Sequence, residues 1–130
     1  HLCFGNYGGQ VIQRGSWDKL IAYLNSLQVD HIVMEAAHRP AGELAAFRDL
    51  RPGIGLGLGV VDVKRTEVES ADEIARAIER AEAVLGPGRV RYIHPDCGFW
   101  MLDRSIADAK IRALVAGRDL HHGGAGSRAA

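Results

Sequence analysis

Four side chains of the types that bind transition metals are spaced so that they could build one metal site. They are His1, Cys3, Glu35 and Cys97. The His-x-Cys spacing places two side chains on the same side of an extended backbone, as a single ion requires. Glu35 lies within the apolar run 32–37, where a carboxylate is costly to bury unless it is paired or coordinated. Two sulfurs, one imidazole and one carboxylate predict a tetrahedral zinc site, with the carboxylate as the ligand that yields most readily to a substrate.

Each of these residues also has a structural interpretation. Taken alone, Cys97 is more typical of a small buried core residue than of a ligand. His1 heads the chain and could be a remnant of cloning. For Glu35 the cost of burial favours a functional role over a structural one. The zinc hypothesis therefore depends on whether the four residues converge in the fold.

Two more polar residues belong to the candidate site. Lys64 follows the apolar run 60–63 and could face the site, although a solvated lysine beside Arg65 fits equally well. Asp96, like His94, lies close to Cys97 and could orient a metal-ligating side chain by a hydrogen bond. A Pro-Asp pair also favours a turn, which would explain the residue nearly as well. His31 and His38 have no evident partners. The glycines of 53–59 match neither phosphate-binding glycine motif, and they indicate a closely packed strand.

The elements that must position these residues follow from hydrophobic periodicity. Nearly continuous apolar segments predict three strands buried on both faces, at 29–36, 57–63 and 89–94. Helical patterns alternate with them, at about 17–27, 41–50, 71–85 and 104–116. Ser70 and Glu73 form a capping box before the third helix, which Gly86-Pro87-Gly88 ends.

Alternating strands and helices predict a parallel sheet of right-handed βαβ units. Two architectures remain open, a doubly wound sheet and a piece of a (β/α)8 barrel. The loop-like stretch 5–9 has no complete strand before it, which favours a partial barrel of about three to four βα units, since a whole barrel takes ~250 residues. Residues 1–116 are expected to form this unit, and residues 117–130 a flexible tail.

Composition limits the range of functions. The chain has 130 residues, with 16 Lys and Arg against 16 Asp and Glu, so it has no excess charge that would favour nucleic acid or an anionic membrane. Its apolar stretches are shorter than the ~20 residues of a spanning helix. Two cysteines do not make a disulfide scaffold and favour reduced thiols or metal ligands in the cytoplasm.

The order of these motifs resembles a known family. The matching segments are His1-Leu2-Cys3-Phe4-Gly5-Asn6, Glu35, Leu58-Gly59-Val60-Val61-Asp62-Val63-Lys64 with Glu67 and Ser70, and Pro95-Asp96-Cys97-Gly98-Phe99. From residue 1 to about 116 they resemble the C-terminal barrel half of the cobalamin-independent methionine synthase family. The resemblance implies zinc on His1, Cys3, Glu35 and Cys97. It also implies methyl transfer from methyltetrahydrofolate, or a related donor, to the thiol of homocysteine.

The resemblance also shows where this chain departs from the family. The family has a histidine, a proton donor, where this chain has Lys64, so Lys64 and Asp96 are the candidate catalytic residues. The sequence is similar to the epoxyalkane:coenzyme M transferase branch too, in which a zinc-bound thiol opens an epoxide. A third hypothesis is a non-catalytic, zinc-stabilised half barrel. The expected partners are a small-molecule thiol, a methyl donor, and either an N-terminal barrel half or a second copy.

Overall fold

The computed structural model describes residues 1–128 and shows a parallel sheet of three strands connected by helical segments. The strands are β1 (His31–Met34), β2 (Gly55–Val61) and β3 (Val90–Pro95), and they lie in the order β1-β2-β3. The register pairs His31 with Gly55 and Leu56 with Val90. The three predicted strands are confirmed, although each boundary differs by one to a few residues. The prediction that all three are buried on both faces is wrong for β3, in which Arg91 and Tyr92 are exposed, whereas β2 is buried along its whole length.

A fourth strand position lies beside β1. Leu2 forms a parallel bridge with Met34, and its N–H donates to the carbonyl of Val33 at 2.8 Å. The N–H of Glu35 in turn donates to the carbonyl of Leu2 at 3.3 Å. The first residues therefore occupy the place of a neighbouring parallel strand, and Cys3 follows its end as Glu35 follows β1.

The helical segments before β1 and β2 are shorter or tighter than the periodicity predicts. The first is a 3-10 turn over Trp17–Leu20 that continues as α1 (Ile21–Ser26). The second, predicted as an α-helix over 41–50, is a 3-10 helix over Ala41–Asp49. It begins after Pro40, a residue type that is tolerated at a helix start, and Gly42 is the one poor helix former in its first turn.

Helix α2 (Ala71–Leu85) begins at the predicted capping box. The Ser70 hydroxyl accepts from the N–H of Glu73 at 3.3 Å, and the Glu73 carboxylate accepts from the N–H of Ser70 at 2.7 Å. Ile74 and Ile78 are buried on its inner face. Gly86 ends the helix with φ at 91°, a conformation that favours glycine.

Helix α3 (Arg104–Arg128) is longer than predicted. The prediction that it ends near Ala116 is wrong, because Gly117 is a packing residue within the helix. A Cβ at Gly117 would lie 2.5 Å from Ile74 Cβ and 3.0 Å from the carbonyl oxygen of Ala71, so this glycine allows α3 to approach α2 closely. Residues 117–128 belong to this helix. A flexible tail over 117–130 stays a prediction, and residues 129 and 130 lie outside the described part.

One hydrophobic core joins the sheet to the helices and to the first loop. Trp17 packs edge-on against Phe4, with ring centroids 4.7 Å apart, and against Phe47 at 5.9 Å. Met34 and Leu58 complete the core at the sheet. Because Phe4 belongs to this core, the neighbouring Cys3 is held on a fixed backbone. Within residues 1–128, none of the helices combines the length and apolarity needed to span a bilayer.

A buried lysine joins α3 to the loop after β2. The side chain of Lys110 is fully buried, and its ammonium donates to the carbonyl of Glu67 and to the Glu69 carboxylate at 3.0 Å. We expect Lys110→Met to lower the free energy of unfolding by about 2–3 kcal/mol, because it leaves the largely buried Glu69 without its cation. Arg104→Met, which removes a highly exposed ion pair with Asp108, should cost less than about 0.5 kcal/mol.

Urea denaturation at a fixed protein concentration measures both variants. A Lys110→Met protein as stable as Arg104→Met would show that the buried lysine adds nothing to the attachment of α3.

Candidate metal centre

The candidate ligands lie at or just beyond the carboxyl ends of parallel strands. Cys3 follows the bridged Leu2, Glu35 follows the end of β1, and Cys97 follows the end of β3 by two residues. The carboxyl ends of parallel strands share one edge of the sheet, which is why residues far apart in the chain meet there.

Three of the predicted ligands converge on one point. The Cys97 Sγ lies 3.4 Å from the Nε2 of His1 and 3.5 Å from the Sγ of Cys3. In a tetrahedral zinc site these separations are about 3.6 Å for nitrogen to sulfur and about 3.8 Å for sulfur to sulfur, as the usual bond lengths require. The three side chains therefore fit zinc after adjustments of a few tenths of an ångström. Both cysteines are free thiols.

The environment of Cys97 keeps its thiol protonated when no cation is bound. Burial raises the pKa of Cys97 to about 11, and the hydrogen bond to Cys3 and its charge act in the same direction. The N–H of Gly98 and the charge of Lys64 lower this pKa, but by less. A metal ion at this position must therefore displace a proton, as zinc does from cysteine ligands.

The fourth predicted ligand, Glu35, has other partners in this structure. Its carboxylate is fully buried; one oxygen accepts from the N–H of Phe4 at 2.9 Å and the other pairs with the Lys64 ammonium at 3.2 Å. It belongs to a second group of possible ligands, with His38 and Asp96, rather than to the cysteine group. Coordination by Glu35 stays a prediction.

The side chain of Lys64 points towards the candidate site. Its side chain is only 7% exposed, and its ammonium is the cation that neutralises Glu35. The solvated arrangement beside Arg65 is not the one observed, since only Arg65 is largely exposed. The Lys64 backbone N–H donates to the Asp62 carboxylate at 2.8 Å, which fixes the loop that carries the lysine.

Asp96 joins the end of β3 to the loop after β1. Its fully buried carboxylate accepts from the N–H groups of Ala36 at 2.8 Å and Ala37 at 2.9 Å through one oxygen. The other oxygen lies 2.7 Å from the Nδ1 of His38. Asp96 therefore fixes the backbone that carries its neighbour Cys97, and it does more than form a turn.

The sequence did not indicate a role for His38. Its Nδ1 contacts Asp96, and its Nε2 is buried without a hydrogen-bond partner, 3.7 Å from the Glu35 carboxylate. The one available signal was its position four residues after β1, at the edge where the candidate ligands lie. His94, by contrast, bonds to the carbonyl of Pro95 and lies beside the ring of His1.

A glycine in β2 makes room for this arrangement. A Cβ at Gly59 would overlap the Asp96 carboxylate and lie 2.9 Å from the carbonyl oxygen of Met34. We expect Gly59→Ala to displace Asp96 and Cys97, lowering stability by about 1–3 kcal/mol and zinc affinity with it. Gly53→Ala, where a Cβ meets nothing within 4 Å, is the matched control.

Chelator competition and urea denaturation check this prediction. Equal zinc affinities for the two alanine variants would show that the close approach at Gly59 does not position the candidate ligands.

The chain has parallel strand–helix units, and its candidate ligands lie at the carboxyl ends of the strands. These two features define a class of protein, an α/β barrel segment with its site at the edge where barrel enzymes carry their active sites. A family model described as "Cobalamin-independent synthase, Catalytic domain" matches residues 13–118, and the chain belongs to this family. The match includes Glu35, Lys64 and Cys97, whereas His1 and Cys3 precede it.

Similar proteins agree with this assignment. The chain is 36% identical over 120 residues to a methionine synthase of Thermococcus kodakarensis, covering 92% of this chain and 32% of that protein. It is also 36% identical to a methionine synthase of Pyrococcus abyssi, covering 88% of this chain and 30% of that protein. The chain thus spans about a third of the length of these relatives.

A solved structure shows the same fold. A B12-independent methionine synthase from a Shewanella species, in complex with selenomethionine, superposes with a TM-score of 0.72 at 22% identity. The superposition covers 85% of this chain and 32% of that chain. The predicted partial (β/α)8 barrel is confirmed, and the doubly wound sheet is set aside.

Proposed function

We propose that the protein is a zinc-dependent thiol methyltransferase of the cobalamin-independent methionine synthase type. It transfers a methyl group from methyltetrahydrofolate, or a related donor, to the thiol of homocysteine. The observation that carries this proposal is the convergence of His1, Cys3 and Cys97 at the end of a sheet from this family. Because the chain spans a third of its relatives, the activity is proposed for the assembled barrel. Free thiols at the site favour a reducing compartment, the cytoplasm.

The donor set suits zinc, since two sulfurs and an imidazole are its preferred ligands. His1, Cys3 and Cys97 would hold the ion, with Glu35 as the fourth, exchangeable ligand. Zinc would bind the substrate thiol and favour its deprotonated form at neutral pH, in which the sulfur remains nucleophilic.

The other residues of the site orient the ligands and move a proton. Asp96 fixes the loop after β1 and the backbone of Cys97. In the reaction, the bond between the methyl carbon and the donor nitrogen breaks as the bond between carbon and sulfur forms. The departing nitrogen needs a proton, and the Lys64 ammonium carries one at the edge of the site.

Methyl transfer to homocysteine by the assembled barrel tests the proposal. We expect product from homocysteine and methyltetrahydrofolate, and loss of the rate in Cys97→Ala. His31→Ala is the control, because this exposed histidine lies at the start of β1, the opposite end of the strand from the site, where its ring contacts that of Tyr92. Consumption of an epoxide with coenzyme M, and no methyl transfer, would instead identify the alternative transferase. If neither pair reacts while zinc still raises the melting temperature, the metal is structural.

The partner proposal rests on the edges of the sheet. Within residues 1–128, β3 pairs only with β2, so its other edge has no strand partner, and the exposed ring of Tyr92 lies on one face of the sheet beside His31. We expect the 130-residue chain to associate, with a separate barrel half or with a second copy, because unpaired strand edges and apolar faces favour pairing. Sedimentation measures the association state of the chain, and a monodisperse monomer that unfolds cooperatively would contradict the expectation.

A further inference from the structure

The Glu35 carboxylate is a predicted metal ligand, yet in this structure it is paired with the Lys64 ammonium. It is fully buried, and one of its oxygens accepts from the N–H of Phe4, the residue after Cys3. Its second oxygen lies 3.2 Å from the Lys64 ammonium. Within the described residues, this carboxylate is also the sole hydrogen-bond acceptor of that ammonium.

Neither charge can be left alone at this depth. The side chains of Glu35 and Lys64 are 0% and 7% exposed, and an unpaired charge that is shielded from water is strongly disfavoured. A carboxylate that moves to a metal leaves the ammonium without a partner. A carboxylate that stays on the ammonium leaves the metal one ligand short. The two interactions of Glu35 are therefore coupled.

The loop of Lys64 makes this competition specific. The Asp62 carboxylate accepts from the Lys64 N–H at 2.8 Å, so the lysine backbone is fixed within reach of Glu35. The neighbouring cation cannot replace it, because the Arg65 side chain is 75% exposed and faces Asp62 instead.

We propose that Lys64, before any proton transfer, acts as a positioning residue: it competes with the metal for Glu35 and receives this carboxylate when a substrate thiol takes its place at the metal. The inference rests on the proposed zinc and thiol chemistry and adds the partner of the displaced ligand. It predicts that Lys64 weakens zinc binding and strengthens thiol binding, because it stabilises the state in which Glu35 is off the metal.

Lys64→Met tests this through two affinities measured separately. Zinc affinity, from competition with a chelator, should rise about three- to tenfold because the competitor is gone. Homocysteine affinity for the cobalt-loaded protein, from its sulfur-to-metal absorption, should fall about tenfold because the released carboxylate has lost the Lys64 ammonium. Arg65→Met, which removes the same charge one residue away, should change neither affinity more than about twofold.

A rise in zinc affinity together with a fall in homocysteine affinity distinguishes a positioning role from a structural one, since simple loosening of the site would weaken both affinities. In a Glu35→Gln background, Lys64→Met should change zinc affinity less than about twofold, because the competition has been removed. If Lys64→Met does not fold, Lys64→Arg serves instead. A guanidinium holds a carboxylate through two hydrogen bonds, so zinc affinity should then fall severalfold.

The outcomes are distinct. Wild-type protein that binds no zinc overturns the proposed function, and this inference with it. Wild-type protein that binds zinc and homocysteine, with both affinities lowered or unchanged in Lys64→Met, overturns only the role of Lys64.

Discussion

Replacing Cys97 by serine is expected to lower zinc affinity by more than about a hundredfold. Its sulfur is the atom that contacts both other members of the group, the imidazole of His1 at 3.4 Å and the thiol of Cys3 at 3.5 Å. A serine hydroxyl keeps the shape of the side chain but is a poor ligand for zinc, which prefers thiolate. Metal content after purification without chelator, together with chelator competition, measures the effect.

Two further variants make this result specific. Cys3→Ser should behave in the same way, because it removes the second sulfur of the group. His31→Ala should bind zinc like the wild type, since that histidine lies at the other end of β1. A Cys97→Ser protein that retains one zinc per chain with unchanged affinity would refute the candidate centre, provided that its far-ultraviolet circular dichroism matches the wild type.

Replacing Asp96 by alanine is expected to lower the free energy of unfolding by about 3–5 kcal/mol. The buried carboxylate accepts from the N–H groups of Ala36 and Ala37 and contacts His38, and all three lose their partner at once. Asp96→Asn should cost less, about 1–2 kcal/mol, because its amide oxygen can still accept from the two backbone groups. Urea denaturation at a fixed protein concentration measures both.

An exposed aspartate serves as the reference for Asp96. Asp30→Ala changes an exposed residue just before β1 and should alter stability by less than about 0.5 kcal/mol. If Asp96→Ala is no more costly than Asp30→Ala, then the hydrogen bonds of Asp96 do not hold the site together.

Much of the fold could be predicted because its signals are local. Apolar runs mark the positions of the strands, of which β2 is buried along its whole length, and the capping box of Ser70 and Glu73 marks the start of α2. The end of α3 could not be predicted in this way. A glycine late in a helical pattern usually indicates a helix end, whereas Gly117 is there because Ile74 of another helix leaves no room for a Cβ.

The candidate site likewise has a part that could be predicted from the sequence and a part that could not. The convergence of His1, Cys3 and Cys97 follows from residue type and from their positions after parallel strands. The pairing of Glu35 with Lys64 and the contact of His38 with Asp96 depend on how two loops turn back over the sheet. No spacing rule describes such loops, so these contacts became visible only in three dimensions.

The distance along the chain between the candidate ligands has a consequence for the order of folding. His1 and Cys97 are 96 residues apart and Cys3 and Cys97 are 94 apart, so their contacts close nearly the longest loops that the chain contains. Such contacts form late, after local helices and the nearer strand pairs, because closing a long loop costs the most entropy. We therefore expect the proposed zinc ion to bind to a sheet that has already formed, and to secure the two outermost segments of that sheet rather than to nucleate it.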